Sequence, residues 1–408
     1  MEDAPLNEIW HWPVDARPAV LEGRWLGSNG AQAYVAANPV SVLEGGPEAF
    51  EELGRWLTCH AARYPAGAAI GFLSYELGRL FEPVPLAKLS SLPDVSFAYY
   101  PRVRKLAVPA GTSPLDNLGP PTKFHTNFDQ ESYQAAVTKI REYITAGDIY
   151  QANLTVRFSV GLEGQPAERI YQRLRGSRAP FRAFLKSPDR TILSNSPERF
   201  FRVFGERVLA SPIKGTIARG AHDDEETRAK LLASPKDRAE NVMIVDLLRN
   251  DLGRICRYQT IRVRLWETEP LPHLFHLVSH VEGTLRPGIG FGEILRALFP
   301  CGSVTGAPKI RAMEILAEIE RVPRGVSMGA VGIIFGLPGS NRCRMEFNVA
   351  IRTLLLERDV ATFNVGGGIV YDSQARTEHE EMMLKAQPLL AALGALSSGK
   401  TCAMNAVV

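Results

Sequence analysis

Little in this sequence suggests an oxidising compartment. Its five cysteines, Cys59, Cys256, Cys301, Cys343 and Cys402, are scattered, odd in number and without CxxC spacing. That excludes a disulfide framework or a zinc site and reads as reduced thiols in a cytosol. No apolar run approaches the roughly 20 residues of a membrane-spanning helix. Met1-Glu2-Asp3-Ala4 is acidic and lacks the apolar region of a signal peptide. A net charge of +3 comes with no basic block, so neither nucleic acid nor a membrane is expected as a partner. No HExxH pattern supports zinc, and Pro300 to Lys309 lacks Walker-loop spacing, which argues against nucleotide binding. What is present, 408 residues with 45% hydrophobic and 22% charged, is ordinary for a globular protein with a large core.

Along the chain, residues 1–108 read as mixed strands and helices, with Ala69 to Glu76 the strongest strand. The stretch 109–126 is rich in Pro, Gly, Ser and Asn and reads as a linker. Tyr133, Val137, Ile140 and Ile144 recur at helical spacing, and Gly147 stands where a glycine would stop the helix. From Leu154 the pattern alternates, which predicts a strand with Gln151, Asn153 and Thr155 on its wetter face. His273, His276 and His280 have the spacing of a helical metal face, although a core or surface histidine is the ordinary reading of each. The chain from 393 to 408 reads as a disordered tail.

One stretch organises the rest: Ser211-Pro212-Ile213-Lys214-Gly215-Thr216. Pro212 fixes one backbone angle, and Gly215 permits a close or unusual backbone approach. Locally, Lys214 reads as a solvated lysine in a turn. In an apolar pocket it would instead supply a neutral nucleophilic amine. Glu198, in Ser196-Pro197-Glu198-Arg199-Phe200, lies far enough upstream for two strands to turn back and bring the two side chains together. Glu240, in a largely apolar helix, needs a partner for its charge, either the helix dipole or a hard cation. Arg352 lies among apolar residues and needs a carboxylate. Gly366-Gly367-Gly368 marks a bulge, a turn or a close ligand approach. Glu378, Glu381 and Lys385 share one helical face.

Taken together, from about Phe128 to Leu390, these blocks resemble the chorismate-utilising enzymes, and among them the aminodeoxychorismate synthase branch. The related anthranilate synthases usually carry Ala at the Lys214 position. The resemblance implies an α+β, anthranilate-synthase-like fold of two orthogonally packed antiparallel sheets flanked by helices. Residues 1–108 would form its amino-terminal part and 127–392 its chorismate-binding region. It implies Lys214 as nucleophile and Glu198 as general acid. Gln151, Thr216, His276, Ser303, Arg352, Gly366, Gly367 and Gly368 would bind substrate, and Glu240, Glu378 and Glu381 would bind Mg²⁺. Relatives that add water carry Lys where this chain has Gln151, so Gln points to ammonia. No glutaminase signature stands out, and the resemblance implies a separate glutaminase subunit. Ile333 and Asn241 depart from the Tyr and His common in relatives. The expected reaction is chorismate plus ammonia to 4-amino-4-deoxychorismate, for p-aminobenzoate and folate. The competing readings are an anthranilate synthase large subunit and a non-catalytic chorismate- or tryptophan-binding protein.

Overall fold

The computed structural model describes residues 9, 11–28, 30, 32–82, 84, 90–108, 122–219, 224–271, 274–337, 340 and 343–395. These residues form two ten-stranded antiparallel sheets. From edge to edge, the first runs Gly306–Ala307, Gln151–Gly161, Val360–Ile369, Thr353–Glu357, Arg190–Ser196, Phe181–Lys186, Ala19–Gly23, Gln32–Ala36 and Arg104–Ala107. Phe124–Thr126 adds to the free edge of Gln151–Gly161. The second sheet begins at Arg262–Pro270 and Leu274–Thr284. Arg207–Ser211 and Ile213–Ala218 lie end to end along the other side of Leu274–Thr284. Arg199–Phe204, Arg344–Val349, Ala330–Phe335, Ala68–Leu73, Val95–Tyr100 and Ser41–Gly45 follow outward.

Three apolar layers hold this together. Leu21, Trp25, Phe72, Ile192, Val331, Ile333 and Leu355 fill the space between the sheets. Helices Gln130–Thr145, Ala167–Arg175, Lys309–Glu320 and Ala375–Ala392 bury their apolar stripes on the outer face of the first sheet. Pro47–Arg63, Pro235–Gly253 and Phe291–Leu298 do so on the second. The class is therefore the expected α+β, in four layers. Local chemistry sets the helix limits: the Asp129 side chain accepts from the Ser132 N–H at 2.8 Å at the start of Gln130–Thr145, and Gly147 (φ 84°) stands just past its end.

Some expectations change here. Of the linker, residues 109–121 lie outside the described residues, while Phe124–Thr126 is a paired strand. Most of the tail also lies outside them, but Leu393 and Ala395 are core residues. His276 and His280 stand on the strand Leu274–Thr284 and not on a helix; His273 is outside the described residues. Gln151, Asn153 and Thr155 are all buried: Thr155 meets Glu320, Arg324 closes on the Asn153 carbonyl, and Gln151 packs beneath Gly368.

Two of the chain's short passages between the sheets lie side by side. Ser196 ends a strand of the first sheet and Arg199 opens one of the second; Val349 ends a strand of the second and Thr353 opens one of the first. The crossings are bonded to each other. The Val349 N–H donates to the Glu198 carbonyl at 3.1 Å, the Asn195 N–H donates to the Arg352 carbonyl at 3.1 Å, and the Ser196 hydroxyl donates to the Val349 carbonyl at 2.6 Å.

A buried ion pair braces the same end of the molecule. Arg324 binds Glu320 at 2.6 Å and donates to the carbonyls of Val304 and Asn153, each at 2.7 Å. Thr155 supplies its N–H and hydroxyl to Glu320. Removing one partner would leave a buried charge uncompensated, so Arg324→Met should lower stability by about 3–5 kcal/mol. Arg376→Ala, which removes an exposed i,i+4 partner of Glu380, should cost under about 0.5 kcal/mol. Urea unfolding of both variants checks the contrast; equal losses would refute it.

Candidate active site

A cavity of about 490 Å³ opens where the two crossings meet. Asn153, Asn364 and Gly366–Gly368 face it from the first sheet, and Ile213–Thr216 and His276 from the second. Glu198 and Arg352 reach it from the crossings. Helix Pro235–Gly253 contributes Lys236, Asp237 and Glu240; helix Ala375–Ala392 contributes Glu378, Glu381, Leu384 and Lys385. Ser303 and Val304 complete the wall from the turn Gly302–Thr305.

Lys214 owes its direction to an irregular strand. Ile213 pairs with Val278 and Thr216 with His276, a shift in register that leaves Lys214 and Gly215 in a bulge. Gly215 has φ +91°, and a Cβ there would stand 2.9 Å from the Asp237 Cβ, so no side chain fits. The Lys214 side chain is 14% exposed, with Nζ at 3.7 Å from Glu240 Oε2.

Glu198 stands at the first crossing, beside Pro212 and Ile213 because Arg199 pairs with Ser211. It is 5% exposed, and its Oε1 has no hydrogen-bond partner among the described residues. Burial pushes its carboxyl up to about 7, against the opposing pull of the Ser303 hydroxyl, the Lys214 ammonium and the Ile213 N–H. A carboxyl so placed can hold a proton near neutral pH and give it up to a leaving group.

The opposite wall recognises anions. Arg352 sits in the left-handed region (φ 49°), held there by the crossing, and has no carboxylate partner among the described residues. Burial lowers its guanidinium pKa. His276 binds Thr216 Oγ1 through Nδ1 at 2.9 Å, while its buried Nε2 has no partner among the described residues. Burial, and then Arg352, hold its pKa down to about 3, so the ring is neutral. A neutral imidazole with a free nitrogen offers a hydrogen bond to a bound ligand.

Glu240, Glu378 and Glu381 border the cavity from two helices. Among the described residues no three Asp, Glu, His or Cys side chains form a ready metal cluster. Each glutamate is engaged elsewhere: Glu240 with Lys214, Glu381 with Lys385 at 2.7 Å, and Glu378 with the Ser373 hydroxyl at 2.6 Å. Burial and then the charge of Glu381 raise the Glu378 carboxyl. For Glu381, burial is outweighed by Lys385, Lys236 and Lys214, which hold its carboxyl low. Three glutamates at one cavity, two of them in mutual repulsion, suit a hard divalent cation, and the residues present fit Mg²⁺.

The cavity thus gathers all but one of the residues named from the sequence. Gln151 lies behind the wall: it is fully buried, and a Cβ on Gly368 would stand 2.4 Å from its Nε2. The glycines form no bulge or turn; they lie in register within Val360–Ile369, opposite Asn153 to Thr155. Asn241 is buried and accepts from the Ser279 hydroxyl, and Ile333 lies in the core between the sheets. Lys236, Asn153 and Asn364 were not singled out as site residues. Lys236 carried a signal, since a lysine in the first turn of a helix opposes its dipole.

A family profile described as chorismate binding enzyme matches residues 25–391. Aminodeoxychorismate synthase component 1 of Klebsiella aerogenes is 36% identical over 350 residues, covering 79% of this chain and 76% of the relative. Anthranilate synthase component 1 of Saccharolobus solfataricus is 35% identical over 346 residues, covering 80% and 81%. Among solved structures, anthranilate synthase component I of Streptococcus pneumoniae superposes with a TM-score of 0.76 at 28% identity, covering 88% of this chain and 92% of that one. A cavity with an acid, an amine and an unpaired arginine, in a chain matched over nearly its whole length, identifies a member of the chorismate-binding enzyme family.

Proposed function

We propose that this enzyme replaces the C4 hydroxyl of chorismate with an amino group, giving 4-amino-4-deoxychorismate, the precursor of p-aminobenzoate in folate synthesis. The observation that carries the reading is Lys214 and Glu198 at one cavity, with the acid poised near neutrality beside the amine. In the anthranilate synthases the lysine position is usually Ala, which favours amination without loss of pyruvate.

Arg352 and the neutral His276 orient a substrate carboxylate and its neighbouring oxygen. The free amine of Lys214 attacks ring C2 as both ring double bonds shift, C1=C2 to C1=C6 and C5=C6 to C4=C5, and the C4–O bond breaks. Glu198 delivers its proton to that oxygen, which leaves as water. Ammonia then adds at C4, both ring double bonds shift back, and the C2–N bond to Lys214 breaks with return of the lysine amine. Two allylic displacements replace one direct substitution, which is the advantage of a covalent route. Mg²⁺ held by Glu240 and Glu381, with Glu378, would supply positive charge for the ring carboxylate and neutralise the carboxylate nearest Lys214.

The ammonia would come from a separate glutaminase subunit, a reading supported by the component 1 names of the relatives. Among the described residues no helix is long and apolar enough to cross a membrane. Cys59, Cys256, Cys301 and Cys343 are free thiols, which suits a cytosolic enzyme.

Mass analysis of products from chorismate, Mg²⁺ and an ammonium salt should show 4-amino-4-deoxychorismate; anthranilate as the main product would overturn the assignment. Glutamine should support turnover only after a glutaminase is added, and glutamine-dependent turnover by the pure chain would contradict the partner. Glu198 acts only while protonated, and its carboxyl is raised to about 7. Turnover at constant free ammonia should therefore fall as pH rises through that value, and Glu198→Gln should lose about 10²–10⁴ in kcat. An alkaline side flat to pH ~9 would remove Glu198 as the acid.

A further inference from the structure

Four cations border the cavity, and they fall into two pairs. Lys214 and Lys385 are committed to Glu240 and Glu381. Lys236 and Arg352 have no ion-pair partner among the described residues. Arg352 faces the cavity from the second crossing, and Lys236 is exposed at the start of helix Pro235–Gly253.

Nothing in its own helix accounts for Lys236. A cation in the first turn faces the positive end of the helix dipole. Its natural i+4 partner is Glu240, but that carboxylate turns to Lys214 instead. Across the cavity, its charge is felt by Glu378 and Glu381 on helix Ala375–Ala392. Lys236 is therefore a free cation among the site's carboxylates, while Arg352 lies by His276 and is felt by none of them. A ligand with two separated carboxylates fits that distribution of charge.

On the reading that chorismate is the substrate, we propose that Lys236 is the second anion anchor, holding the carboxylate remote from Arg352. It is a binding residue and takes no part in proton or bond transfer.

The test is calorimetric titration of chorismate into the full-length protein with saturating Mg²⁺ and no ammonia, for wild type, Lys236→Gln and Lys236→Arg. Removing a charged hydrogen bond should weaken binding about tenfold or more in Lys236→Gln, and Lys236→Arg should recover most of it. KM should rise by a similar factor with a smaller change in kcat. Mn²⁺ binding without chorismate, followed by electron paramagnetic resonance, should be retained in both variants. Wild-type chorismate affinity in Lys236→Gln would overturn the anchor alone. So would a parallel loss of Mn²⁺ binding, because Lys236 would then act by shaping the metal helix. A wild type that binds no chorismate would sink the proposed function, and the anchor with it.

Discussion

The site depends on two chain crossings that hydrogen-bond to each other. Neither Glu198 nor Arg352 lies within a regular strand; each stands at the step where the chain leaves one sheet for the other. Their carbonyls accept the N–H groups of Val349 and Asn195, so each crossing fixes the other. Such positions are stiff, since the strands on either side are held in their sheets, yet the backbone is free of a regular ladder. This permits the positive φ of Arg352 and the burial of Glu198, both costly in isolation. The Arg324–Glu320 pair secures the adjoining carbonyls of Asn153 and Val304.

Around that corner the charges are arranged in opposition. Acids come from two helices and one crossing, and amines from the bulged strand and the same two helices. Without ligand, lysines and glutamates satisfy one another, as in the pairs Lys214–Glu240 and Lys385–Glu381. A divalent cation at the glutamates would displace these contacts. Glu198 is set apart from this exchange by burial, and that separation lets its carboxyl keep a proton near neutral pH.

Local chemistry was readable where it is self-contained. The helix Gln130–Thr145 follows from its apolar spacing and caps, and the Glu381–Lys385 pair from i,i+4 geometry. The unusual backbone at Gly215 was also visible and is borne out by its φ of +91°, but the turn read around Lys214 is a bulged strand, Ile213–Ala218. Burial across the sandwich was not. Gln151, Asn153 and Thr155 look polar and wet, but what covers them lies far away in the chain: Gly368 for Gln151, Arg324 for Asn153 and a carboxylate at position 320 for Thr155. The histidines misled for another reason: residues four apart share a face in a helix and in a strand, so His276 and His280 could not reveal the period. Lys236 drew no reading from the sequence, and its place at the cavity emerges only from the structure, where its i+4 neighbour Glu240 turns to Lys214.

The central claim is that Lys214 forms a covalent bond to the substrate ring. Intact-protein mass spectrometry with chorismate and Mg²⁺, but without ammonia, tests it most directly. An adduct with the mass of chorismate less water, mapping to Lys214 after proteolysis and discharged on adding ammonium, is the predicted result. No adduct under these conditions, together with near-wild-type formation of the same product by Lys214→Ala, would contradict it.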